Sequence, residues 1–127
     1  MRAVWLLAIV ACSTREAPIV LKDVDRLGEA DRHELIRIHG SISAARAHGH
    51  FSPAHISFTL SREGHAVTVV TKDIVPDAFR DGSRAIVTGR YVRADEVRAA
   101  LDAEGFREVS GDVFLARDVR ASLDPEF

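Results

Sequence analysis

The chain has 127 residues, of which 46% are hydrophobic and 28% charged, enough for one domain with its own core and too apolar for a wholly disordered polymer. Its 17 Lys and Arg against 19 Asp and Glu give a formal net charge of −2, without the basic footprint of a general nucleic-acid binder, and aromatics at 6% leave few surfaces for bases to stack on. A single Cys excludes an internal disulfide and any zinc site built from cysteines.

The chain opens on Arg2 followed by an unbroken apolar run from Val4 to Val10. That run falls far short of the ~20 apolar residues of a spanning helix and suits the apolar region of a secretory signal. Ile9-Val10-Ala11-Cys12 resembles the lipobox of bacterial lipoproteins, which are cut before a Cys that then carries lipid. Residues 1–12 are thus expected to be a signal peptide, with Cys12 as the lipid attachment. The other reading is an amino-terminal core strand with a buried free Cys. Ser13 after the Cys resembles sorting to the outer membrane, and such an anchor holds a domain at a membrane without spanning it. From Ser13 to His33 the chain turns polar, interrupted by the apolar clusters Ile19-Val20-Leu21 and Leu27, and reads as a tether with room for one strand or helical turn.

From residue 34 onward the pattern is that of strands. Ile36, Ile38 and Ile42 alternate with Arg37, His39 and Ser41, so the isoleucines are expected to face a core and the polar residues to face out. His55 to Leu60 alternates again, Arg62-Glu63-Gly64 is a turn, and Ala66 to Thr71 is the returning strand of a hairpin. Pro76 to Arg80 has room for one helical turn, closed by Asp81-Gly82, with Phe79 expected to plug the barrel end beside Pro76. Arg84 to Tyr91 is a fourth strand whose Gly89 marks a bulge or sharp bend. Asp95 to Glu104 changes period: Asp95 is placed to cap a helix with Val97, Ala100 and Leu101 on one face, and Gly105 suits its end. Val113 to Val119 is a fifth strand. Five short strands with turn signals predict an all-β domain over 34–127, a small closed barrel with a helical insertion between strands 4 and 5.

One segment carries a sharper signal. Ile74-Val75-Pro76-Asp77-Ala78-Phe79-Arg80-Asp81-Gly82 resembles the hydrophobic-Pro-Asp-x-Phe-Arg-acidic-Gly segment of the periplasmic haem chaperones of cytochrome c maturation, the CcmE family. Ile36-Arg37-Ile38-His39-Gly40, the hairpin from Ile56 to Val69, Val87-Thr88-Gly89-Arg90 and Val113 to Val119 resemble the family's strands in order and spacing. The resemblance covers roughly Leu35 to Phe127. It implies an OB-type five-stranded barrel, export, membrane anchoring, no enzymatic activity, and partners in the cytochrome c maturation machinery or apocytochrome itself. It also implies haem as cargo, held in the family through a covalent bond to a His near the carboxyl end and an iron-ligating Tyr four residues later.

The departures from the family are specific. Leu123 stands where the His, or in some members Cys, is expected, and Phe127 stands where the Tyr is expected. Neither side chain carries a nucleophile or an iron ligand. Any haem binding is therefore expected to be non-covalent. His39, where the family has Gly, is a candidate replacement ligand, and Arg80, Arg84 and Arg90 are candidate grips for haem propionates; the plainer reading is a surface His and a solvated basic rim. His48, His50 and His55 cluster within eight residues and form a candidate metal site, against the plainer reading of a His-rich loop. No nucleophile motif and no phosphate loop is present. The two resemblances together imply a haem-handling, lipid-anchored protein on the periplasmic face of a membrane, the outer membrane if Ser13 sorts it there. The alternative is an exported OB-fold module that binds or scaffolds a protein partner without haem.

Overall fold

The computed structural model describes residues 19–48, 55–72, 75–76, 78–124 and 127; Cys12 and His50 lie outside them. Among the described residues the strands are β1 (Leu21–Asp23), β2 (Leu35–His48), β3 (His55–Arg62), β4 (His65–Thr71), β5 (Arg84–Arg93) and β6 (Asp112–Ser122), with one short α-helix, α1 (Arg98–Ala103). Their lateral order is β1-β2-β3-β4-β6-β5, and β2 also pairs with β5. That last pairing closes β2 to β6 into the expected five-stranded barrel of OB type, with the helical insertion between β5 and β6.

The closure depends on the length of β2. Its first half, Leu35 to Ser41, pairs antiparallel with β5, and its second half, Ser41 to His48, pairs antiparallel with β3. Between Ser43 and Arg46 the register slips by one residue, with Ala44 at φ 54°. An extra residue bends a strand and raises its twist, which lets one strand serve two neighbours. The β4–β6 and β1–β2 pairs are parallel and the others antiparallel.

The predicted alternation fills the barrel. Ile36, Ile38, Ile42, Phe58, Leu60, Val69, Val87 and Phe114 are all buried in one cluster. Phe79 packs edge-on against Phe58, with ring centroids 4.9 Å apart, and its amide donates to the Pro76 carbonyl, so the Pro76–Phe79 turn closes one end of this core. The β3–β4 connection is a two-residue turn with Glu63 at φ 52° and Gly64 at φ 81°, the doubly left-handed turn that matches strand twist in a hairpin.

Two local expectations are corrected. The irregularity at Gly89 is real, but the extra residue is Arg117 on β6: Thr88 pairs with Asp118 and Gly89 with Ala116. Asp95 does not cap the helix. The chain enters through a 3-10 turn, Ala94–Val97, where the Glu96 carboxylate accepts from the Arg93 amide at 2.9 Å. An acidic side chain three residues into a turn reaches back to its start, and Glu96 holds that position. Leu101 is buried as predicted, and Gly105, at φ 90°, follows the helix. With Phe106 and Val109, Leu101 forms a second small core against Val70, Val92 and Val113 on the outside of the barrel.

Residues 21–33 carry β1 and two 3-10 turns packed on the barrel. Val24 enters the main core. Asp31 accepts from Lys22 Nζ at 2.6 Å and the Gly28 amide at 2.8 Å. Arg32 lies over the Tyr91 ring, 4.1 Å from its centroid, and its Nη2 reaches Glu29 and Asp112. These contacts clasp the segment to β5 and β6.

Candidate functional site

Because Ile36 and Ile38 point inward, Arg37 and His39 point out, and the ladders set them in two cross-strand rows. One row runs Leu21, Arg37, Thr88, Asp118; the other runs Asp23, His39, Ile86, Arg120. Residues directly opposite on one sheet face are close enough to interact. Arg37 Nε donates to Thr88 Oγ1 at 3.3 Å, and Arg120 lies 3.6 Å from Asp118. A groove of about 210 Å³ runs over these rows, with Phe127 as one wall.

His39 sits beside this groove with its side chain only 15% exposed. Its Nδ1 lies 3.2 Å from Asp23 Oδ1, and its Nε2 lies 2.9 Å from the main-chain oxygen of Phe127. The sequence suggested His39 and Phe127 for unrelated reasons, one as a spare ligand and the other as a lost one. The fold brings them into contact. Leu123, by contrast, is exposed and lines no part of the groove. Arg37, Arg120 and Asp118 carry the charge that lines the groove, and sequence reasoning did not single them out. Their shared outward parity with His39 was the available signal.

The arginines chosen from the sequence are placed differently. Arg90 follows Thr88 on the outer face of β5 but donates through Nη1 to the His33 carbonyl at 2.7 Å. Arg80 is exposed in the turn after Phe79, where its carbonyl accepts from the Ser83 amide. Arg84 is half-buried at the start of β5, opposite Ser41 and Ser122.

His48 and His55 are register partners at the ends of β2 and β3, and both rings pack on Phe106, at 5.0 and 5.8 Å between centroids. His48 Nε2 lies 2.6 Å from Ser57 Oγ, and His55 Nδ1 lies 3.0 Å from the Glu104 carbonyl. Burial pushes the His48 pKa down, aided by nearby Arg46 and opposed by a bond to the Gly105 main chain. This serine–histidine pair has no precursor in the sequence motifs. It is buried and lines neither the groove nor the larger cavity described next, so its contacts hold the insertion against the barrel. Among the described residues no group of three His, Cys, Asp or Glu side chains converges on a metal position.

The larger cavity, about 300 Å³, lies between the insertion and the sheet, lined by Val70, Val97, Leu101, Phe106 and Leu115 among others. Its predominantly apolar walls present no imidazole or thiol, and at its edge Lys72 pairs with Glu104 at 2.8 Å. Among the described residues no helix is long and apolar enough to cross a membrane.

A family model described as the CcmE domain matches residues 19–121. No curated protein matches the chain.

Proposed function

The chain belongs to the CcmE family, and from that premise we propose that it handles haem non-covalently, as transient cargo of cytochrome c maturation, at the groove over β2, β5 and β6. The observation that carries this reading is the His39 imidazole beside Phe127, the residue that, by the resemblance read from the sequence, stands where the family's iron-ligating Tyr is expected. Neutral imidazole is a standard iron ligand. Leu123 and Phe127 supply no nucleophile and no phenol oxygen, so the residues present fit coordination by His39 and do not fit the family's covalent bond. Arg37 and Arg120 line the same groove, together with Asp118, which lies 3.6 Å from Arg120, and the two arginines supply the positive charge that carboxylates of a cargo would meet. Arg80, Arg84 and Arg90 are not among the residues that line it.

In this reading the protein is exported, held at the periplasmic face of a membrane by lipid on Cys12, and exchanges haem with the maturation machinery or apocytochrome. The outer membrane is favoured by Ser13. Its role is carriage and not catalysis.

The test is titration of haemin into the full chain, followed by Soret absorption, with a denaturing-gel haem stain on the same sample. Saturable one-to-one binding without stain, lost in His39→Ala, is the expected result. An unchanged spectrum overturns the reading.

A second reading rests on the insertion. Residues 94–109 build their own small core and a cavity of about 300 Å³ outside the barrel, which suits an exported module that binds or scaffolds a protein without haem. An absent Soret response together with a partner captured by wild type and lost in Val97→Asp favours it.

A further inference from the structure

We infer that His48 is an acid-sensitive latch: its neutral imidazole holds the insertion, residues 94–109, against the barrel, and taking up a proton releases it. The inference is independent of the haem reading and concerns the apolar cavity beside α1.

Three observations support it. First, the ring is enclosed where the insertion meets the sheet. His48 is only 7% exposed, its Nε2 lies 2.6 Å from Ser57 Oγ on β3, the Gly105 main chain bonds it, and Phe106 packs on it at 5.0 Å between centroids. Second, among the described residues no carboxylate bonds the ring. The charged and titratable groups around it are Arg46 on its own strand, His55 on β3, Lys72 after β4, and Glu104 and Glu108 from the insertion. Glu108 is already paired with Arg46 at 2.9 Å and Glu104 with Lys72 at 2.8 Å. Arg46 opposes a positive ring, and the attraction of Glu108 is a smaller effect. A buried charge without a bonded partner is costly, so the protonated ring gains by reaching water. Third, the insertion is tied to itself. Arg98 donates to the main-chain oxygens of Phe106 and Val109 at 2.9 and 2.6 Å and pairs with Asp102 at 3.0 Å, so helix and following loop can leave together. His55 donates from Nδ1 to the Glu104 carbonyl at 3.0 Å, and a charged ring keeps that bond as well as a neutral one.

Release parts the insertion from the sheet. It uncovers Phe106, which is fully buried in the closed form, and the walls of the 300 Å³ cavity, Val70 and Leu115 on the sheet side and Val97 and Leu101 on the insertion. Contiguous exposed apolar surface marks an interaction site, and here it becomes available only in acid. The sign follows from which form binds the proton more readily. The released ring returns to the ordinary 6.5 and the enclosed ring lies below it, so a falling pH favours release.

The test is amide hydrogen exchange in the full chain at about pH 7.5 and about pH 5.5, on either side of the released ring's value. Rates are converted to protection factors, which removes the intrinsic pH dependence of exchange. In wild type, protection within residues 94–109 is expected to fall in acid by up to about tenfold, the limit for one proton over that interval, while the β2–β5 ladder keeps its protection. His48→Gln is expected to abolish the response and His55→Gln to retain it. The wild-type measurement decides even where a variant fails to fold. Unchanged protection in residues 94–109 overturns the inference. A loss confined to residues 46–48 and 55–57 also overturns it, because the ring then escapes by fraying of the strand ends. So does a uniform loss across the barrel, or a response that survives in His48→Gln. None of these outcomes bears on haemin binding, since neither variant alters a residue of the groove.

Discussion

Gly89 lies directly against the carbonyl of Leu115, so a Cβ at position 89 would overlap that oxygen and also meet the Phe114 ring. The opposing atom is backbone in a paired strand, which cannot turn aside as a flexible side chain can. Gly89→Ala is therefore expected to force β5 and β6 apart at the Arg117 bulge and to cost about 1–3 kcal/mol, the usual range for overpacking. Urea denaturation of the two proteins measures it; equal midpoints would mean that the bulge absorbs the methyl group.

Phe106 joins the insertion to the barrel. It is fully buried and touches both His48 and His55. Phe106→Ala is expected to destabilise the protein by about 3–5 kcal/mol through lost burial and the cavity left behind. The damage is expected to begin locally, with hydrogen exchange accelerating in residues 94–109 before the β2–β5 ladder. Uniform acceleration across both would show that the insertion and barrel unfold as one unit.

His48 gives the protein a pH dependence of defined sign. Its folded pKa lies below the ordinary 6.5, mainly because burial disfavours the charged ring. Between the folded and unfolded values the unfolded chain binds more protons, so stability rises with pH in that window. The contribution is fully present above pH 6.5, is lost as the pH falls below it, and levels off below the folded value. Denaturation midpoints at a series of pH values, compared between wild type and His48→Gln, are expected to show this segment of the curve flattened in the variant. Parallel curves would assign the dependence to another group.

The Arg32 clasp makes a separate claim. The guanidinium stacks on Tyr91 while bonding Glu29 and Asp112. Lys can replace the charge but neither the stack nor the fork of donors. Arg32→Lys is expected to cost about 1 kcal/mol and to speed proteolysis within residues 21–33. The Arg32 hydrogen bond is also the main cause holding the Asp112 carboxyl below its ordinary range. That contribution is present above the unfolded carboxylate pKa and lost as the pH falls through the lower folded value. Unchanged proteolysis in Arg32→Lys would show that Val24 and the β1–β2 pairing hold the segment without the clasp.

Much of this architecture was legible from period alone. Ile36, Ile38 and Ile42 announced the inner face of β2, and by parity the outer face with Arg37 and His39. The Glu63-Gly64 turn and the Phe79 plug also follow from local chemistry. The site was not legible in the same way, because it depends on pairings between distant segments. Nothing near His39 in sequence signals that residues 23 and 127 meet it, or that Thr88 and Asp118 complete its neighbouring row. Arg90 was a candidate and Arg37 was not, because sequence does not reveal that the Arg90 guanidinium is engaged by the His33 carbonyl. His48 and His55 looked like a metal loop, whereas their register on β2 and β3 and the arrival of Phe106 are tertiary facts.

That difference between arginines can be measured. If haem occupies the groove, Arg37→Ala and Arg120→Ala remove charge from its lining, whereas Arg90 is not part of that lining and donates to the His33 carbonyl. Exposed ion pairs contribute up to about 1 kcal/mol, so each groove variant is expected to weaken haemin binding by roughly twofold to fivefold. The effect is expected to shrink as salt rises, since screening acts on charges that remain near solvent. Arg90→Ala is expected to leave affinity within twofold while lowering stability slightly through loss of the His33 bond. Soret titrations at low and high salt separate these outcomes. Weakening confined to Arg90→Ala would move the cargo along β5, away from His39, and would require a ligand other than that imidazole.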